Sequence, residues 1–273
     1  MDRVVNFGRL LRAFWVRDWH EQTSYRAALL FSFGGIFFRA FTFFYIAQLI
    51  GEPAQAALPE YGGDYFAFVL IGIAFNGYFN VGLSSFSQSL RQAQTTGTLE
   101  AMLMTPTPVG QIILGSAVWS YGFTTLRVGV YLLLGWFLGL DLSQANVPLA
   151  LLGLLVSIVS FASIGILAAS LIMVIKRGDP ITTLISGFAA LLGGIYYPIT
   201  LLPEWVQPLS HLLPITYALR VIRQTLLNGS SWTAVQTDFL ALLGFTAVLL
   251  PLSLWAFRTA VDRARADGSL AQF

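Results

Sequence analysis

Side chains able to do chemistry are few in this sequence, and the most unusual are two arginines, Arg39 and Arg127, that each interrupt a long apolar run. Arg39 lies about twelve residues into the first run, ~18 Å along a helix axis and near the middle of ~30 Å of hydrocarbon. A guanidinium at that depth costs roughly 3 kcal/mol on insertion scales, so it should face protein or water rather than lipid. Two readings stand for the pair. They line a route for an anionic or phosphate-bearing substrate, or they snorkel and donate to backbone carbonyls.

Catalytic arrangements are missing. There is no cysteine, and the two histidines, His20 and His211, stand far apart in the sequence, so no metal site is expected. A phosphate-binding loop needs Gly-Lys-Ser/Thr after a glycine-rich turn, and here the sole lysine, Lys176, is followed by Arg177. Neither a H-E-x-x-H zinc motif nor a G-x-S-x-G elbow occurs. The carboxylates of Asp64 and Asp141 fall at the ends of apolar runs and Asp238 near one, leaving no deep acid to relay protons or sodium. We therefore expect no catalytic residue and no cofactor bound by the chain itself. A net charge of +2 gives no footprint for nucleic acid.

The elements that position these residues follow from composition. Of the 273 residues 56% are hydrophobic and only 10% charged, whereas a soluble domain carries about 25% charged residues. A chain so poor in ionisable groups cannot coat a water-facing surface; a helical bundle in lipid needs them only at its wet ends. Six apolar runs reach the ~20 residues that a crossing helix needs. They are Ala27–Ile50, Tyr65–Leu90, Val109–Leu140, Val147–Ile175, Ile181–Leu202 and Val235–Phe257. Ahead of them, residues 1–26 place Val4, Phe7, Leu11, Phe14, Trp15 and Trp19 on one helical face. Asp2, Asn6, Arg9, Arg17 and His20 fall opposite, the pattern of an amphipathic helix in the interface. The expected fold is one all-α integral membrane domain over 1–273, with no removable signal peptide.

Basic residues give the orientation, since Lys and Arg are retained on the cytoplasmic side. With the N-terminus inside, cytoplasmic segments hold eleven of them: five arginines before the first run, Arg91, Lys176 and Arg177, and Arg258, Arg263 and Arg265. The outer segments hold Arg220 and Arg223 alone. Both termini are predicted cytoplasmic.

Two connecting segments carry mechanical signals. In the first, residues 91–108, Gly97 and Thr98 open a short helix and Leu99, Met102 and Leu103 form one apolar face. Glu100 sits near its positive end, and Pro106 and Pro108 close it. It is either a docking knob for a moving partner or an ordinary interfacial turn. In the second, residues 191–229, Pro198, Pro203, Pro208 and Pro214 forbid a continuous helix. Pro203, followed by Glu204 and Trp205, and Pro214, followed by Tyr217, each suit the first turn of a short helix, the second ending near Asn228–Gly229. The segment reads as a re-entrant hairpin over 203–229 before the last span, or as an outer cap that seals the bundle.

Taken in order, the interfacial helix, six spans, Gly97-Thr98-Leu99-Glu100 before Thr-Pro-Thr-Pro, and the Tyr197–Arg220 stretch resemble the permease subunit of type-2 ABC exporters over essentially the whole chain. The similarity is greatest to members that export drugs, glycolipids and polysaccharides. The resemblance implies two permease copies around a central pathway in the inner (plasma) membrane, and two separate ATPase subunits that bind ATP and magnesium. Residues 91–108 would be the coupling helix, with Glu100 on the ATPase, and 203–227 the outer re-entrant helices. The expected function is ATP-driven export of a hydrophobic or amphipathic substrate such as a drug, lipid or lipid-linked glycan. The alternatives are a gradient-driven transporter or channel, and a non-transporting membrane scaffold or enzyme.

Overall fold

The structure, a computed structural model, describes residues 26–51, 58–95, 109–175 and 180–266, together with positions 8, 15, 16, 19, 20, 53 and 56. Within them the order is α1 (Arg26–Ile50), a 3₁₀ turn (Pro59–Tyr61), α2 (Tyr65–Thr95), α3 (Val109–Phe137) and α4 (Val147–Ile175). Then follow α5 (Pro180–Leu192), a 3₁₀ turn (Ile199–Leu201), α6 (Gln207–Ser210), α7 (Pro214–Leu227) and α8 (Trp232–Ala266). No strand occurs among the described residues.

α2 is the axis of the bundle. Its run Phe66–Phe75 is buried on every side, as expected of a helix with no polar face. α3 and α4 pack along it, α8 packs along α4, and α7 wedges between α4, α8 and α2. α1 touches only α2 and α3 to any extent, leaving Phe31 82% and Leu49 86% exposed. Water would not tolerate so broad an apolar face, and lipid or a further protein surface must cover it.

Among the described residues four helices are long and apolar enough to cross a membrane, and they lie within α1, α2, α4 and α8. α3 has 29 residues but is not one of these four. The expected fifth run, Ile181–Leu202, is not one helix: α5 stops at Leu192 after 13 residues. Gly193 and Gly194 end it, the latter at φ 73°, a backbone state that favours glycine. Pro198 at φ −64° and ψ 143° then holds the chain extended. The other helices begin and end within a few residues of expectation, except that α8 continues from Trp232 to Ala266 and carries Pro251 inside it. The interfacial helix over 1–26 lies largely outside the described residues; from it, Trp15 and Trp19 set their rings edge-on to Trp119 of α3 at 5.0 and 5.9 Å.

Several hydroxyls inside the bundle are satisfied by their own helices. Ser157, Ser163 and Ser170 of α4 donate to the carbonyls of Gly153, Val159 and Ile166 at 2.7, 2.8 and 2.7 Å. Thr124 and Thr246 do likewise at 2.8 and 2.9 Å. Such bonds let polar side chains sit where no water competes. Close approach of α2 and α4 relies on missing side chains: a Cβ on Gly165 would lie 1.9 Å from the Gly82 carbonyl oxygen. Small residues at such crossings are the usual means of packing helices in lipid.

Gly165→Ala should therefore force α2 from α4 and destabilise by about 1–3 kcal/mol. Gly187→Ala, with nothing within 4 Å of its Cβ, should be neutral or stabilising. Thermal unfolding of the detergent-purified variants checks the contrast.

Candidate functional site

The end of the bundle that holds the α1–α2 and α3–α4 connections and the 193–231 segment is the best-built polar region of the chain. Its keystone is Arg223, and the reason lies in α7. Ile215, Leu219, Ile222 and Leu226 form the buried stripe of that helix, and Arg223, one turn beyond Leu219, falls on the same face. It is 2% exposed. Its Nε donates to the Phe68 carbonyl at 3.1 Å, one Nη to the Gly194 carbonyl at 2.7 Å and the other to the Ile195 carbonyl at 2.9 Å. The guanidinium carbon also lies 3.4 Å from the centre of the Phe68 ring, a cation–π contact. In the turn that follows α5 the Gly194 and Ile195 carbonyls have no helical donors, and this one side chain supplies both while fastening that turn and α7 to α2. Gly72 makes room: a Cβ there would lie 2.3 Å from the Ile195 oxygen and 2.4 Å from an Arg223 nitrogen.

Other bonds complete this end. Pro214 opens α7 as expected, after an extended Leu213, and the Thr216 hydroxyl donates to the Ser210 carbonyl at 2.7 Å, tying α7 to α6. At its far end the Thr225 carbonyl accepts from the Asn146 amide at 2.8 Å. Asn228 Nδ2 donates to the Glu60 carbonyl at 2.6 Å. Arg220 reaches Asp238 of α8 at 3.2 Å. Burial raises the Tyr61 phenol above its ordinary pKa, although the nearby arginines oppose that, so the hydroxyl stays protonated at neutral pH.

The residues singled out from sequence are distributed differently. Gly97, Thr98, Leu99, Glu100, Met102, Leu103 and Pro106 lie outside the described residues, but α2 ends at Thr95 and α3 begins at Val109, so both helices run to that segment. Arg39 is exposed, as are its sequence neighbours Phe37, Phe38 and Phe41. Arg127 is half-buried between α3 and α1, donating to Ser32 Oγ at 2.5 Å and lying 5.3 Å from the Phe123 ring. Its Nε is buried without a partner among the described residues. Nothing places Arg39 beside Arg127. In the 203–229 segment, Pro203 opens a turn through its carbonyl, which accepts from the Val206 amide at 2.8 Å, and the helix itself starts later, at Gln207. Glu204 and Trp205 are exposed, while Tyr217 packs between His211 and Phe245 at 6.1 and 5.7 Å. No group of three histidines, cysteines or carboxylates able to hold a metal occurs among the described residues.

Sequence reasoning treated Arg223 as a marker of the outer side and missed its role. The signal was present: an arginine one helical turn from Leu219, in line with the apolar stripe of an amphipathic helix. Its removal should leave the Gly194 and Ile195 carbonyls short of their donor, at a cost of about 2 kcal/mol. Arg223→Ala and Gly72→Ala should both lower the unfolding midpoint, with Arg223→Lys intermediate because an ammonium lacks the planar fork. Equal midpoints for Arg223→Ala and the wild type would refute the keystone role.

Comparison with known proteins bears on the whole chain. The sequence profile of the family described as ABC-2 type transporter matches residues 6–227. The inner membrane transport permease YhhJ of Escherichia coli is 24% identical over 168 residues, 60% of this chain and 44% of that protein. Nodulation protein J of Sinorhizobium fredii is 26% identical over 168 residues, 61% of this chain and 64% of that protein. The matches thus span less than two thirds of these relatives.

Proposed function

The chain belongs to the ABC-2 type transporter family, and from that premise we propose that it is the permease of an ATP-driven exporter for a hydrophobic or amphipathic substrate. It is a membrane transport protein with an all-helical fold. The observation that carries the finer reading is the convergence of α2 and α3 on residues 96–108, in a sequence with no phosphate-binding loop of its own. A protein built this way takes mechanical work from elsewhere. Two ATPase subunits on the cytoplasmic side would supply it by closing on ATP and pushing the helix that carries Glu100, moving α2 and α3 as a pair.

In this reading α1 to α4, α5 with its broken continuation, and α8 make six crossings of the inner membrane. An even number returns both termini to the cytoplasm. The α6–α7 hairpin dips into the outer leaflet, with α7 packed in protein and α6 partly exposed. Arg39 supports a second permease copy: a guanidinium exposed among phenylalanines on α1 is costly against lipid, and a facing copy or a watered pathway between two copies would relieve that cost. α1, the least covered helix, is the surface that such a copy would occupy.

Purification from membranes in mild detergent should bring down a soluble-type ATPase with the permease. Glu100→Lys should leave insertion intact while detaching that subunit or abolishing substrate-stimulated hydrolysis. Recovery of a transporting complex with no ATPase would sink the reading, and normal coupling in Glu100→Lys would remove Glu100 from it.

A further inference from the structure

At the 193–231 end a cavity of about 300 Å³ opens between the Leu58–Tyr61 turn, the Gly193–Leu201 loop and α7. That is the lower bound of small-molecule sites, enough for a headgroup and too small for a whole drug-sized molecule. Both signs of charge line it: Arg223, buried, Arg220, partly exposed, and Glu60, exposed. Arg223 makes its bonds to neutral carbonyls, so no carboxylate cancels its charge directly, and burial leaves that charge poorly screened. Arg220 spends one nitrogen on Asp238, which leaves further guanidinium donors to face the cavity. Leu201 belongs to the cavity wall and is 62% exposed; it and the hairpin residues Trp205 and Leu212, 78% and 67% exposed, offer an apolar surface.

Two guanidiniums, one of them paired with Asp238, an exposed carboxylate and an exposed apolar hairpin fit one class of ligand. We propose that this cavity binds the zwitterionic headgroup of a phospholipid-like amphiphile, with the phosphate on Arg220, the ammonium toward Glu60 and the chains against Leu201 and the hairpin. The inference rests on the amphiphile reading above and narrows it to a headgroup chemistry and a place. Binding at this site needs no ATPase, so it stands or falls separately from the coupling mechanism.

The test is binding of dihexanoyl phosphatidylethanolamine to the purified full chain, followed by native mass spectrometry. Wild type and Asp238→Asn, which frees Arg220 from its ion pair, should both bind, and Arg220→Gln should bind at least tenfold more weakly. Dihexanoyl phosphatidylglycerol, lacking the ammonium, should bind more weakly than phosphatidylethanolamine, and dihexanoylglycerol should not compete. Equal binding by Arg220→Gln, phosphatidylglycerol binding as tight as phosphatidylethanolamine, or inorganic phosphate alone displacing the lipid at equal concentration would each overturn the proposal. The chain has no cysteine, so Thr200→Cys carrying a benzophenone gives a check that leaves Arg220 in place. Crosslinking of the lipid to that position is expected, and crosslinking no greater than at a lone cysteine replacing Ser143, in the α3–α4 connection, would also overturn the proposal.

Discussion

Where a helix stops inside a bundle, the turn that leaves it carries carbonyl groups without helical donors, and the organisation of one end of this protein depends on how that is solved. α5 stops at Leu192, and Arg223 answers from α7 with donors to Gly194, Ile195 and Phe68. The charged fork is suited to the task because it carries several donors in one plane and gains from lying over the Phe68 ring. Desolvating a guanidinium is unfavourable, and the carbonyl dipoles, together with the ring, are what make the burial tolerable. α2, α7 and the turn after α5 thereby become one unit, and the cavity with Arg220 and Glu60 lies against it.

The same preference of buried polar groups for partners within the protein explains features elsewhere. Thr124 of α3, Ser157, Ser163 and Ser170 of α4 and Thr246 of α8 return their hydroxyls to their own helices. Hydroxyls of that kind let α4 remain smooth and small on the side facing α2, where Gly82 and Gly165 meet. The weakly covered α1 and its exposed Arg39 are the counterpart: their requirements are not met within a single chain, which is why the proposed assembly places a second copy there.

Much of this was legible in the sequence, for physical reasons that differ by element. The limits of α1, α4 and α7 follow from apolar run length, from Pro214 at the start of a helix and from Asn228–Gly229 at its end. The fifth run, set by hydropathy, overran because Leu191–Leu202 carries no charge, and hydropathy does not register that Gly194 adopts positive φ; Pro198, which the sequence already marked as a break, holds the chain extended. Arg223 was overlooked because an arginine outside the long runs reads as a surface charge, and its burial depends on α2 offering Gly72 and the Phe68 carbonyl 155 residues away. The pairing of Arg127 with Ser32 has the same origin, a contact 95 residues apart in sequence. The 96–108 segment was singled out by residue type alone, and its role stands as a proposal.

The account makes Arg223 a rigid fastening between helices rather than a solvated charge, and the guanidinium can be observed directly. Solid-state nuclear magnetic resonance of the chain in bilayers, with arginine labelled at its side-chain nitrogens and Arg223 assigned by its loss in Arg223→Lys, measures proton exchange and rotation of that group. Slow exchange at Nε and Nη with arrested rotation about the Cζ–Nη bonds is the predicted result. A guanidinium that rotates freely and exchanges rapidly with water would contradict the fastening and, with it, the architecture proposed for this end of the protein.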